Sequence, residues 1–316
     1  MICNLSTQFK EVNNISDDFL LNILESNLKM FFDWSFLNIG AWFDAIDGNN
    51  TIYGGRQHSQ LLPVYDPAYS DGQVWQGIRK DWVWEKNFTY NTNSPLELNS
   101  VLVDGSPVSK SGNFVTNYPL GRIIFNNPIN IGSIVNASYS YRFVQVHRAS
   151  ESPWFNIIQQ SSYNTSNQDI TLTEDGDWAI GSNHRVQLPA IVIESLPRSR
   201  SLPYEIGSSS LVIEQDIGLY ILAENKNDRN KLLDIIRLQQ DHTILLFNTN
   251  ALAQNDKYPL DYNGDLKTDP LMYPDIVTQY PWRKCWLKNI NLFEIDSPHP
   301  NLHQGMARIT SEIISN

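Results

Sequence analysis

The residues from Asp261 to Asp269, "DYNGDLKTD", place acids and an amide at alternate positions. Loops of this kind can wrap oxygen ligands around calcium. Two residues depart from the EF-hand pattern. Leu266 stands where the loop needs glycine for its sharp turn, and Met272 stands where a bidentate glutamate closes the shell. The same residue types also build a solvated turn, because Asx side chains hydrogen-bond the backbone two residues on, and the departures favour that reading. Asp261, Asp265 and Asp269 are then candidates for contact with another chain. His299 and His303 have the spacing of a zinc half-site on a helix, but Pro298 and Pro300 oppose a helix and no cysteine lies close in sequence. A polar loop is expected there, with no metal and no cofactor.

Gly-x-Ser-x-Gly, His-Glu-x-x-His, a phosphate-cradling glycine loop and the dinucleotide fingerprint are all missing from the sequence. Glycosidases need only two carboxylates placed by the fold, and Asp81, Glu85, Asp175 and Asp177 lie near tryptophans that can stack on sugar rings. Acids beside aromatics also arise in any acidic, tryptophan-rich chain, so a non-enzymatic protein is expected. If the run containing Trp75, Trp82 and Trp84 is a strand, Trp82 and Trp84 share a face. That pair is a carbohydrate platform or the core side of a sheet, and the apolar neighbours Ile78 and Val83 favour core.

"LPRSRSLPYEIG" sets Arg198 and Arg200 between prolines as a basic segment in an acidic chain. The net charge is −11 with pI near 4.9, so the chain as a whole repels a phosphate backbone. The arginines are better placed to meet an acidic protein surface than a duplex. Cys3 and Cys285 lie at opposite ends and match no disulfide or metal framework. "MICNLSTQFKEVNN" has no basic region followed by an apolar run, and no 18 consecutive apolar residues occur, so no leader and no membrane span is expected.

The elements that must position these residues are legible from spacing. With 316 residues, 41% of them hydrophobic, 11% aromatic and only 18% charged, the chain supports more than one core and favours strands. "ISDDFLLNILESNLKMFF" predicts a helix capped by Ser16, with Asp17 and Asp18 in its first turn. Gly40, Gly48, Gly54 and Gly55 then break it. From Gln73 short strands alternate with turn signals: Asp104-Gly105 predicts one hairpin. Pro119 and Gly121 predict another, with Gly121 supplying positive φ at the third position of a type II turn.

Residues 151–185 are polar and predict a linker or extended excursion. Beyond them come two strands, a helix capped by Asn227 or Asp228 with Leu232, Leu233, Ile236 and Leu238 on its buried side, a strand "HTILLFN", and two further alternating runs. The expected organisation is an N-terminal helix and loop region (1–72), an all-β sandwich or barrel module (73–150), the excursion (151–185) and an α+β domain (186–316) in which one helix packs on a mixed sheet. The fold class is α+β and β-rich.

The run "VWQGIRKDWVWEKN", followed by "VLVDGSPV", "NYPLGRIIFNNPI" and "IVNASYSYRFVQVHRA", resembles an all-β module of structural proteins in tailed-bacteriophage particles over Gln73 to about Arg148. "LPYEIG…LVIEQDIGLYILAENKNDRNKLLDIIRLQQDHTILLFN" is similar in layout to neck and tail-terminator proteins, in which a sheet with one packed helix forms a ring at the head–tail junction. The resemblance implies no catalytic residue. It implies a virion component that assembles into a homo-oligomeric ring, expected to be hexameric. Such a ring joins other neck or tail proteins and lines a DNA path without binding DNA specifically. Candidate contact segments are 48–72, 151–185 and 250–283, the last with Trp282 near its end. The other reading is a receptor- or carbohydrate-binding adhesin using Trp82 and Trp84.

Overall fold

Helical spacing of Leu20, Ile23, Leu24, Leu28 and Phe31 produces helix α1 (Leu20–Asn38), which buries Ile23, Leu24, Leu28, Phe32 and Phe36. The computed structural model describes residues 14–49, 52–53, 56–85, 87–161, 169–173, 176–181, 184–204 and 210–315. The helix starts four residues after the Ser16 cap that the sequence predicts. The residue before its first is Phe19 in extended conformation, no side chain caps it, and its first turn holds no acid. A competing contact explains the delay: the Asp18 N–H donates to Asn250 Oδ1 at 2.7 Å, and Asn250 Nδ2 donates back to Asp18 O at 3.0 Å. Gly40 ends the helix at φ +81°, its N–H donating to Leu37 O. Gly54 and Gly55 lie outside the described residues.

Strands follow in short pieces: β1 (Trp42–Ala45), β2 (Ile52–Tyr53), β3 (Arg56–Gln57), β4 (Gln60–Pro63), β5 (Val74–Gln76), β6 (Ser100–Val103), β7 (Ser106–Ser109), β8 (Phe114–Asn117), β9 (Arg122–Phe125), β10 (Val135–Asn136), β11 (Tyr139–Arg142) and β12 (Gln145–Arg148). Seven of them make one antiparallel sheet in the order β7-β6-β10-β4-β5-β9-β8. Its core holds Trp75, Trp82, Phe114, Ile123, Phe125 and Tyr139. The sheet recruits β4 from before Gln73, while β12 leaves it for the second sheet, so the β module is not bounded by 73 and 150. Asp104 and Gly105 both take positive φ, as the type I′ hairpin between β6 and β7 requires.

The second hairpin is not type II. Gly121 N–H donates to Tyr118 O at 3.2 Å, so Pro119 and Leu120 are the central residues and the positive φ of 62° falls on the fourth position. The tip is shaped by what it docks on. Pro119 O accepts the Asp81 N–H and Tyr118 O accepts the Trp82 N–H, at 3.1 and 2.9 Å.

The described residues of the excursion form regular elements. After a 3₁₀ turn (Ala149–Glu151) come α2 (Pro153–Gln160) and a meander of β13 (Ile170–Leu172), β14 (Trp178–Ile180) and β15 (His184–Val186). Trp154, Phe155, Ile158, Trp178 and Ile180 pack in one core with Ala190, Val192 and Leu222. Its polar residues hid amphipathic elements each too short for a clear period.

The C-terminal region comprises β16 (Ala190–Pro203), β17 (Leu211–Ala223), α3 (Lys226–Arg237), β18 (Thr243–Phe247), α4 (Thr249–Gln254), α5 (Tyr273–Gln279), β19 (Pro281–Ile295) and β20 (His303–Ser315). The sheet order is β12-β16-β17-β20-β19-β18, with β12 parallel to β16 and every other pair antiparallel, so it is mixed as expected. Alternation divides its faces. Ile191, Ile193, Ile217, Leu219 and Ile221 point to α1 and α3, whereas Ala190, Val192, Tyr220 and Leu222 point to α2 and the meander. Two helices, rather than one, thus cover the first face. Helix α3 is capped by Asn225, whose Oδ1 accepts the Asp228 N–H at 2.8 Å, so Asn227 and Asp228 sit inside the first turn, and Leu238 beyond its end is exposed.

Candidate interface

Strands β16, β17, β19 and β20 run for 13 to 15 residues, against a common length of about 5–6. Helix α2 and the meander cover the Val192 and Leu222 end of one face. At the other end that face is open: Leu245 is 53% exposed, Ile314 43% and Leu202 40%. Register aligns two cross-strand rows there. One runs Leu202, Val212 and Ile314, and the other runs Arg200, Glu214, Glu312, Trp286 and Thr243. Between Leu245, Pro281, Trp282, Arg283, Trp286 and Ile314 lies a cleft of about 650 Å³. The guanidinium of Arg283 sits over the Trp282 ring at 4.4 Å from its centroid.

Charges order the same end of the face. Lys288 Nζ donates to Glu214 Oε1 at 2.9 Å and to Glu312 Oε2 at 3.2 Å. The Glu214 bond raises the Lys288 pKa, and reciprocally the Lys288 bond lowers that of Glu214. Arg200 Nε lies 3.3 Å from Glu214, and Arg198 Nε lies 3.6 Å from Asp216, which Arg308 also holds. Both predicted arginines therefore project from the sheet, 78% and 63% exposed at their side chains. Among the described residues, six cations (Arg198, Arg200, Arg283, Lys284, Lys288 and Arg308) stand with four carboxylates (Glu194, Glu214, Asp216 and Glu312), a local positive excess on a chain of net charge −11.

Asp261, Asp265 and Asp269 lie elsewhere, in a turn packed on the β module through Leu260 and Leu266. Asp261 Oδ1 accepts the N–H groups of Asn263 and Asp265, both at 2.9 Å, and Gly264 takes φ +82°. The Gly264 carbonyl accepts the Tyr118 N–H, and Lys110 Nζ reaches Asp265 Oδ1 at 2.5 Å. Asp269 is exposed, and Tyr262 at the apex is 97% exposed.

The other sequence candidates have protein partners. Trp82 is wholly buried and stacked on Tyr139 with ring centroids 4.2 Å apart. It sits in an irregular segment where Asp81 has φ +52°, so Trp82 and Trp84 do not form a strand ladder, and Trp82 cannot offer a face to a sugar. Trp84 is half-buried under the Arg142 guanidinium, 4.1 Å from its ring centroid. Glu85 is buried against Arg142, which also binds Asp33 at 2.7 and 3.0 Å and donates to Trp82 O. Burial pushes the Glu85 carboxyl up to about 7, although Arg142 pulls it down. Burial also raises Asp81. Asp177 is held by Arg185 and by Gln187 Nε2 at 2.5 Å, and Asp175 lies outside the described residues.

His299 lies in a loop with its ring edge-on to Trp178, while His303 opens β20. Cys285 is buried in the sheet core, where burial pushes its thiol up to about 12, and Cys3 lies outside the described residues. No described helix is long and apolar enough to cross a membrane.

Sequence reasoning found Arg198, Arg200 and Trp282 but missed Trp286, Lys288 and Leu245. The alternation of "RKCWLKNINLFEI" was a signal for Trp286 and Lys288, since its even positions carry the tryptophan and lysines that a buried face excludes. The structure brings Arg198, Arg200 and Trp282 to one sheet face and sets the three aspartates apart on another element. No protein-family model matches the chain, and no curated protein matches it at a significant level.

Proposed function

We propose that the chain is a non-enzymatic structural subunit that associates with its own copies into a ring and joins neighbouring components of an assembly. The observation that carries this reading is the open end of the six-stranded sheet, where Leu202, Leu245 and Ile314 are exposed beside Trp282, Trp286 and an ordered ladder of charges. A rigid sheet face that mixes aromatic anchors, aliphatic rows and arginines has the composition of an interface core with its polar rim. Long strands suit the task, because their backbone is fixed before a partner arrives and little ordering entropy remains to be lost.

The setting supported by the sequence resemblance is the neck or tail end of a tailed-phage particle. The net charge of −11 is suited to lining a DNA path without gripping it. Light scattering over micromolar to millimolar concentrations, followed by negative-stain imaging, tests the assembly: closed rings, sixfold on the resemblance, are expected, and a strict monomer throughout overturns it. Placement in the virion is tested separately by mass spectrometry of purified phage particles, from which absence of the chain overturns that placement.

A further inference from the structure

Resting on the self-assembly reading, we propose that the ring contact is head to tail: Tyr262 of one copy enters the cleft between Trp282, Trp286, Leu245 and Ile314 of the next. Tyr262 is the most exposed large apolar side chain among the described residues, at 97%. An aromatic ring held wholly in solvent at a rigid apex costs solvation unless something covers it. The apex is rigid because Asp261 Oδ1 ties two N–H groups, Leu260 and Leu266 form a bridge, and the turn is docked on the β8–β9 hairpin. Presenting a ring on a pre-ordered turn removes most of the entropy lost on binding.

The receiving cleft, at about 650 Å³, has room for one aromatic side chain with its flanking backbone, and its walls combine Leu245, Trp282, Trp286 and Ile314 with the charged Arg283, Lys284 and Glu312. Charge fixes the direction. Among the described residues the cleft end of the sheet carries six cations against four carboxylates, Glu194 sharing the row of Arg308, whereas the Tyr262 turn holds Asp261, Asp265 and the exposed Asp269 against Lys267, with Asp265 bonded to Lys110. Like surfaces repel, so a symmetric cleft-to-cleft pair is disfavoured and the acidic apex meets the basic face. An interface made from two different patches of one chain repeats from copy to copy and closes into a ring when the rotation permits.

Two exposed substitutions test this without touching either core. Tyr262→Ala removes the plug, and Leu245→Arg obstructs the cleft. Each variant alone is expected to lose association about thirtyfold, the loss typical of an aromatic anchor of about 2 kcal/mol. Mixed in equal amounts, they retain one intact contact, the Leu245→Arg chain's tyrosine entering the Tyr262→Ala chain's cleft. Sedimentation velocity should then show a heterodimer and nothing larger. Wild-type association should weaken as salt rises from 50 to 500 mM, on the order of the screening expected for facing charges. If wild type assembles and either variant assembles equally well, or the mixture forms no heterodimer, the Tyr262 contact is overturned and the assembly reading stands. Wild type that stays monomeric at every concentration and salt overturns both.

Discussion

The guanidinium of Arg142 donates Nη2 to both carboxylate oxygens of Glu85, at 2.8 Å each, with both side chains almost fully buried. The same guanidinium holds Asp33 of α1, so one side chain of β11 ties the N-terminal helix to the loop under the β module. The partners lie 57 and 109 residues away in sequence. Replacing Arg142 by methionine keeps much of the volume and leaves the buried Glu85 and the partly buried Asp33 without their cation. Loss of about 3–5 kcal/mol of unfolding free energy is expected by urea denaturation, the cost typical of breaking one side of a buried pair. A loss under 1 kcal/mol would mean that water reaches the node.

Glu85 gives that node a pH dependence. Its pKa is raised from 4.5 to about 7 by burial, with Asp33 adding to the rise and Arg142 opposing it. The folded state therefore binds this proton more tightly than the unfolded chain. The stabilisation is fully present below about pH 4.5 and is lost as pH rises through 7. Glu85→Gln keeps a neutral group of the same shape. Between pH 5 and 8 the stability of wild type relative to this variant should fall by about 1–3 kcal/mol, measured by denaturation at each pH. A difference that stays flat, or grows with pH, would show that Glu85 is ionised throughout.

What could be read from the chain follows the range of the interactions. Asp104-Gly105 announced its hairpin because a type I′ turn is a two-residue decision, and the apolar alternation of "LVIEQDIGLYILAE" announced a strand. The start of α1 was not legible, because Asn250 ties Asp18 from 232 residues away and displaces the Ser16 cap. Nor was the Trp82 segment: three tryptophans in a strand-like run predict a ladder, but backbone bonds from Asp81 and Trp82 to the β8–β9 tip pull it out of strand geometry. Arg198 and Arg200 were legible as exposed because prolines flank them. The cleft was not, because it is assembled from the ends of three strands.

Gly121 tests the docking of that tip. A Cβ on it would lie 2.4 Å from Arg79 O and 2.7 Å from Lys80 Cα, both backbone, and its φ is +62°. Gly121→Ala thus adds a left-handed alanine, costing about 1–2 kcal/mol, to a clash that only a backbone shift relieves. A total near 3 kcal/mol or more is expected, with faster amide exchange at Asp81 and Trp82, which bond to the tip. Unchanged exchange at those two amides would mean that the tip is not what shapes the Trp82 segment.

Asp261 decides between the two chemistries its spacing allows. Its Oδ1 accepts two backbone N–H groups, and Asp265 Oδ1 accepts the Leu266 N–H together with Lys110 Nζ, so one oxygen of each carboxylate is already committed to donors that a cation would displace. Bringing calcium in would require breaking several of these bonds, each worth about 1 kcal/mol net. Millimolar calcium is therefore expected to leave the melting temperature unchanged. Asp261→Ala should cost about 1–2 kcal/mol and speed exchange at the Asn263 and Asp265 amides, while Asp261→Asn, which keeps the accepting oxygen, should recover most of the loss. A melting temperature that rises with calcium in wild type, and does not in the alanine variant, would instead make the turn a cation site.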